Sequence, residues 1–223
     1  MIELPDFTNP FTHENNFYLT SDVFRMSKMM AHYELYKLTV DIPGAIVECG
    51  VFKGASLVRF ATFRELLNKS AAKKIIGFDA FGEFPDTNYE EDKKWREKFI
   101  SDSGNEGIGV EQLLQVLKHK RIDNNVDLIK GEVCNTIPTY IENHPELKIS
   151  LLNIDVDVYE PTKATLEYFY PRVSKGGVII LDDYANVFPG ANKAVDEYFK
   201  GKNVEIKRFP FSVTPCYIIK NEF

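Results

Sequence analysis

Four aspartates carry the strongest chemical signal in this 223-residue sequence: Asp155 and Asp157 in LLNIDVDVYEPT (151–162), and Asp182 and Asp183 in VIILDDY (178–184). Each pair leaves the end of an apolar run with the length of a buried strand. If those strands lie adjacent and parallel, four carboxylates share one pocket. Like charges packed together need neutralisation. A hard cation such as Mg²⁺, bound by oxygen ligands with water and substrate completing its shell, is the natural partner. A lone DD after a strand reads as a turn. Two pairs on consecutive strand ends read as a metal site.

Three other segments would reach the same end of the sheet. VECGVFKGAS (47–56) takes a strand into an acidic residue and a glycine, then opens a helix at a second glycine. Glycine lets the backbone approach a ligand, and the helix N-terminus offers N–H groups to a carboxylate. Glu48 suits a cation such as an ammonium. The glycines, Gly50 and Gly54, are four apart, which is not the GxGxxG spacing. An amino-acid-bearing nucleoside therefore fits better than a dinucleotide pyrophosphate, with tight strand-to-helix packing as the structural alternative. In GFDAFGEFP (77–85), Asp79 ends a second strand, where a carboxylate in nucleoside-binding α/β folds bonds the ribose, or simply caps a loop. In KGEV (130–133), Gly131 and Glu132 would lie near an adenine, although a Glu at a helix N-terminus explains the pattern equally well.

The remaining reactive types are less informative. His13, His32, His119 and His144 read as surface or packing residues. No Ser-His-Asp or Cys-His ordering stands out. Cys49, Cys134 and Cys216 are odd in number and form no CxxC pair, so neither a zinc ribbon nor a disulfide framework is expected. Free thiols suit a reducing, cytoplasmic setting. Cys49, within a strand, reads as a buried and inert thiol.

What must position these residues is an alternation of short strands and helices. Composition is that of a globular chain, with 44% hydrophobic and 27% charged residues. Lys and Arg total 27 against 33 Asp and Glu, a net charge of −6 that argues against a broad basic face for nucleic acid. No apolar run is long enough to span a membrane, and the first ten residues lack a basic start and apolar run, so neither a transmembrane helix nor a signal peptide is expected. Strands are predicted at 45–50, 73–81, 125–131, 147–157 and 176–184, with helices at 54–67, 110–120, 161–170 and 192–199. NVEIKRF and CYIIK add a late edge hairpin. This implies an α/β fold with a mostly parallel sheet covered on both faces.

Two regions fall outside that rhythm. Residues up to Thr20 read as an extended arm, followed by a helix capped by Ser21 or Asp22 with apolar positions Val23, Met26, Met30, Tyr33 and Leu38. Residues 1–40 are thus an arm and helix, and 41–223 the main domain. The arm's aromatics, Phe7, Phe11, Phe17 and Tyr18, would be buried over the chain's own pocket or across a homo-oligomer, and composition does not choose. Residues 82–109, with a short helix at 91–100 and the only tryptophan, Trp95, read as a lid insertion or a solvated excursion.

Taken together, VECGVFKGAS, GFDAFGEFP, IDVDVYEPT, YPRVSKGGVIILDDY and FPGANKAVDEYF resemble the macrocin O-methyltransferase family, over about residues 17–199. FYLTSD and AHYELYK bring the chain nearer to members acting on nucleotide-linked deoxyhexoses. The resemblance implies a Rossmann-like class I methyltransferase fold with a seven-stranded sheet. It implies S-adenosylmethionine and Mg²⁺ as cofactors and a sugar hydroxyl as acceptor, in natural-product biosynthesis. The family's metal ligands fall on Asp155, Asp182 and Asp183, and its proposed general base on Asp157. Some members are argued to use a lid histidine instead. This chain has none between Asp79 and Leu117, which favours Asp157. The cofactor's methionine end would meet Glu48, Gly50, Gly54 and Ser56, its ribose Asp79, and its adenine Gly131 and Glu132. Rivals are a haloacid-dehalogenase-like phosphatase with Asp155 as nucleophile, a nicotinamide dehydrogenase, and a non-enzymatic nucleoside-binding protein. One helix between the motifs is too little for the phosphatase fold, and a dehydrogenase leaves the paired aspartates unexplained.

Overall fold

A computed structural model of the chain describes residues 2–67 and 72–221. Five strands, β1 (Ala45–Cys49), β2 (Ile75–Asp79), β3 (Val126–Lys130), β4 (Ile149–Ile154) and β5 (Val173–Leu181), run parallel. β6 (Lys207–Arg208) and β7 (Cys216–Ile219) complete one seven-stranded sheet of order β3-β2-β1-β4-β5-β7-β6. β7 pairs antiparallel with both β5 and β6, which is the expected edge hairpin, although its outer strand is only two residues long.

Helices cover both faces. α2 (Val23–Lys37), α3 (Ala55–Leu67) and α5 (Val110–His119) pack Leu35, Tyr36, Leu57, Phe60, Leu113 and Leu117 on one side. α6 (Val133–Asn143), α7 (Tyr159–Phe169) and α8 (Pro189–Phe199) pack Ile137, Tyr140, Leu166, Phe169 and Val195 on the other. Burial on two faces is why β1 and β4 are buried at every position rather than alternating.

The register aligns the strand ends. Ile154 pairs with Leu181, so Asp155 and Asp182, the next residues, leave the sheet side by side. Cys49 pairs with Phe78, and Asp79 with Lys130, which lines up Gly50, Asp79 and Gly131 across the other half. The chain reverses its strand order between β1 and β4, and at such a switch point a parallel sheet opens a crevice.

Four elements differ from the sequence reading. The arm is helical over α1 (Pro10–Thr20), not extended. Pro10 opens the helix, and Asp6 accepts from the Thr8 backbone and the Asn9 side chain at 2.9 and 2.6 Å just before it. α1 buries no residue, so it lacks the apolar stripe by which periodicity finds a helix. α2 starts at its predicted cap, where Asp22 accepts from Phe24 N at 2.8 Å, but presents a different face. Val23, Met30 and Leu38 are exposed, while Ser27, Ala31, His32, Leu35 and Tyr36 are buried. α6 starts just after Glu132, at the helix N-terminus that KGEV offers as an alternative, but its length is not predicted, because Pro138 lies inside it. The insertion's helix, α4 (Glu90–Ser103), is longer than predicted.

Residues 82–109 fold back on the body. Gly107 N donates to Gly82 O at 2.7 Å and Phe84 N to Asn105 O at 2.8 Å, which closes the base of the excursion. Buried Asp92, in the first turn of α4, accepts from Tyr159 N (2.9 Å) and Gly190 N (2.8 Å). The free N–H groups of α7 and α8 thus meet one carboxylate, a match of acid to helix N-termini. Gly190 must be glycine here, since a Cβ would sit 1.9 Å from Asp92 Oδ2. Trp95 and Phe99 pack against Val158, Phe188 and Ala191.

Candidate active site

The carboxylates that follow β4 and β5 converge. One oxygen from each of Asp155, Asp182 and Asp183 lies within 4.8 Å of the others. Asp157 stands beside them in left-handed backbone conformation (φ 60°), which Asp tolerates better than most residues. Its N–H donates to Asp183 Oδ2 at 2.9 Å, so a proposed ligand also fixes the proposed base.

Cations face this cluster from α2 and α3. Lys28 Nζ lies 2.7 Å from Asp182 Oδ2 and 3.4 Å from Asp155 Oδ2. Fully buried His32 stacks on Phe60, receives Arg59 at 3.0 Å on Nδ1, and points Nε2 at Asp182 Oδ1, 3.9 Å away. Arg25 and Arg59 line the same cavity. Burial pushes the Asp182 carboxyl up, but Lys28 and His32 outweigh it and hold the group well below its ordinary range. Burial alone would lower the Lys28 ammonium; the Asp155 and Asp182 charges instead raise it. Burial takes His32 down to about 4, against the pull of Asp182, so its ring is neutral at pH 7. Asp155 and Asp183 are raised by burial and by neighbouring aspartates. Asp157 is pushed up to about 8 by burial and the Asp155 charge, which suits a proton acceptor near neutrality.

The donor set fits a hard divalent ion. Three carboxylates come from two adjacent strand ends, an ammonium is already drawn against two of them, and Asp182 Oδ1 has no hydrogen-bond partner among the described residues.

Two cavities open on this centre and share Gly50, Phe52, Asp155 and Asp157. The larger, about 540 Å³, holds the acidic cluster, Arg25, Lys28, Ser56 and Arg59, with Phe99 and Phe188 across from them. The smaller, about 90 Å³, is lined by Asp79, Gly131, Glu132 and Asp157, and covered by Phe84, Pro85, Asp86 and Asn88 of the insertion. That is narrow beside the ~300–1,000 Å³ of typical ligand sites, so the insertion lies down on it.

The remaining predicted residues take distinct places. Gly50 has φ +89°, and a Cβ there would meet the Asp155 carbonyl oxygen at 1.6 Å, so glycine lets β1 and β4 touch where the crevice opens. Asp79 accepts from the N–H groups of Val51, Phe52 and Phe81 at 2.8, 3.0 and 2.6 Å; the loop-cap role is real, and the residue still faces the smaller cavity. Glu48 lines neither cavity. It is fully buried, accepts from Asn153 Nδ2 at 3.0 Å, and leaves Oε2 without a partner among the described residues. Burial pushes it up to about 7, against the pull of Ser56 and Asn153. Gly54 packs against Leu113 at the start of α3 and lines neither cavity. Cys49 is buried, and burial raises its thiol, as expected of an inert cysteine.

Lys28, His32 and Arg59 were missed as site residues. The available signal was a polar stripe at positions 25, 28 and 32, spaced i, i+3, i+7 along one face of α2.

The family model for macrocin-O-methyltransferases (TylF) matches residues 23–212. The chain is similar to the demethyldecarbamoylnovobiocin O-methyltransferase of Streptomyces niveus, at 30% identity over 164 residues, covering 71% of this chain and 59% of that protein. It is also similar to the 8-demethyl-8-(2,3-dimethoxy-alpha-L-rhamnosyl)-tetracenomycin-C 4'-O-methyltransferase of Streptomyces olivaceus, at 28% over 159 residues, covering 70% and 58%. The matches therefore span less than two thirds of those relatives' own length. A crystal structure of CalS11, a calicheamicin methyltransferase, superposes with TM-score 0.80 at 29% identity, covering 96% of this chain and 88% of that one. The apo form of CalS11, described as a TDP-rhamnose 3'-O-methyltransferase, gives TM-score 0.69 at 26% identity, covering 96% and 89%. These folds are Rossmann-like, as is this one. Because the matched residues run from the first turn of α2 past the last helix, they include every element that brings a residue to the crevice, and the chain belongs to the macrocin-O-methyltransferase family.

Proposed function

We propose that this chain is an S-adenosylmethionine-dependent, Mg²⁺-assisted O-methyltransferase acting on a hydroxyl of a nucleotide-linked deoxysugar, in a reducing cytoplasm. The observation that carries the reading is a base beside a cation site. Asp157, its N–H held by Asp183, adjoins three carboxylates that fit a divalent ion, where two cavities meet. The rhamnosyl acceptor of the Streptomyces olivaceus relative and the TDP-rhamnose activity of CalS11 support the acceptor class.

When bound, S-adenosylmethionine supplies an electrophilic methyl group, and Mg²⁺ at Asp155, Asp182 and Asp183 supplies Lewis acidity to a sugar hydroxyl. A sugar hydroxyl is otherwise a poor nucleophile. Asp157 takes the hydroxyl proton on its carboxylate as the oxygen gains the methyl. Asp183 holds Asp157 in place through the Asp157 N–H. Gly50 and Ser56, which line the larger cavity, meet the donor's methionine end; Gly54 supports the helix start there, and Glu48, which lines neither cavity, reaches the donor's ammonium only once the crevice opens around it. Asp79 receives the ribose, and Gly131 and Glu132 flank the adenine. Residues 82–109 act as the lid that excludes water from both cavities. Most of the rate enhancement comes from positioning and electrostatics, since no covalent enzyme intermediate is needed.

The aromatics Phe11 and Tyr18 of α1 are exposed and line neither cavity, and a homo-oligomer that covers them is part of this reading. The phosphatase alternative falls with the family assignment.

The test is a mass-spectrometric transfer assay with S-adenosylmethionine, Mg²⁺ and a panel of nucleotide deoxysugars. A methylated sugar that disappears with EDTA supports the reading. Cofactor binding with no product from any acceptor points to a binding protein, and released phosphate to a phosphatase.

A further inference from the structure

We propose that Lys28 is the resident counter-ion of the carboxylate cluster, holding Asp155 and Asp182 until a divalent ion takes its place. The inference rests on the metal site proposed above and goes beyond it, because it assigns the cluster a second, covalently tethered occupant.

The geometry is specific. Lys28 reaches from the second turn of α2 across to two different strand ends, at 2.7 Å from Asp182 Oδ2 and 3.4 Å from Asp155 Oδ2. Both residues belong to the triad whose oxygens lie within 4.8 Å of one another. Mg²⁺ needs oxygen contacts of about 2.1 Å. An ion sharing Asp182 Oδ2 with the ammonium would sit no more than about 4.8 Å from it whatever the angle, with no water between them on that oxygen. Two positive centres at that separation compete for the same charge.

The surroundings allow an exchange. The Lys28 side chain is 21% exposed and lines the cavity of about 540 Å³, so it can withdraw without disturbing α2. A lysine is suited to this, being a point charge on a flexible stem rather than a fixed fork. Withdrawn, the ammonium stays in the cavity wall with Arg25 and Arg59. The tether also explains how four carboxylates fold together: one charge is already offset before any ion arrives.

The test uses Mn²⁺ as probe, with free Mn²⁺ followed by electron paramagnetic resonance. Wild type is compared with Lys28→Met and, should that variant fail to fold, Lys28→Gln. The expected result is Mn²⁺ binding ~10-fold or more tighter in the variant, since its competitor is gone. In EDTA the variant melts below wild type, and Mn²⁺ closes the gap. Equal or weaker Mn²⁺ binding by the variant, with wild type still binding, overturns the Lys28 assignment alone. No Mn²⁺ binding by either protein, when both bind S-adenosylmethionine in calorimetry, overturns the metal reading and this inference with it.

Discussion

The two halves of the crevice are made of different material. Around β1, β2 and β3 the walls are largely backbone: Gly50 and Gly131 bring main chain to the cavity, and three N–H groups converge on Asp79. Past β4 and β5 the walls are charge, with four carboxylates set against Lys28 and Arg59. The first half answers most of its polar groups with its own hydrogen bonds, Glu48 Oε2 excepted. The second keeps Asp182 Oδ1 without a partner among the described residues and holds aspartates raised by one another, and such groups stay folded only when offset. Under the proposed function, the contrast assigns the donor to a preformed cradle and the acceptor to a half that needs something added. The two should respond differently to metal, pH and mutation.

The largest effect should come from breaking the charged half alone. Asp157→Asn should lower turnover by ~10²–10⁴-fold, the usual contribution of a general base, and leave the cofactor Kd unchanged in calorimetry. Equal loss of both would erase the distinction between the halves.

Gly50→Ala attacks the seam between them. The positive φ and the overlap with the Asp155 carbonyl together should cost about 2–4 kcal/mol in urea unfolding, with both ligands weakened. Unaltered stability would mean that β1 and β4 can part there without consequence.

The insertion spans both halves, and Asp92→Ala tests what anchors it. Leaving the buried Gly190 N–H and the part-buried Tyr159 N–H unpaired should cost about 2–5 kcal/mol, at about 1–3 kcal/mol for each buried group. Hydrogen exchange should show faster opening of residues 82–109 while the sheet stays protected. Global destabilisation without local opening would make Asp92 a core residue and not a latch.

The smallest effect sharpens the backbone half. Glu48 is raised from 4.5 to about 7, so between those values the folded protein holds a proton that the unfolded chain has lost. Stability from this group therefore falls as pH rises through that window. A bound ammonium needs the ionised carboxylate, so cofactor affinity should rise over the same window, with proton release at about pH 6. Titrations in buffers of different ionisation enthalpy measure the proton, and Glu48→Gln should abolish its release.

Much of this was legible in the sequence, and the exceptions have physical causes. Most of the parallel strands were visible because two-sided burial writes apolar runs, the half-buried edge strand β3 being weaker, and their ends were marked by Gly50, Asp79, Gly131 and the aspartates. α1 left no trace because a helix that buries nothing carries no stripe. On α2 the period was right and the phase wrong. Counting apolar residues chose Val23 and Met30, which are exposed, while the buried face holds Ser27 and His32. That phase error concealed Lys28, because a polar residue on a polar face attracts no attention until the face proves to be the inner one. Asp79 shows the opposite limit: capping a loop does not keep it from the cavity wall, where the proposed ribose contact would be made.

The most direct test of the account is calorimetric titration of S-adenosylmethionine with and without Mg²⁺, followed by nucleotide deoxysugars under both conditions. The account predicts that the cofactor binds in either condition and that the sugar binds only with the metal present. A folded sample that binds no cofactor, or binds the sugar equally well in EDTA, would contradict it.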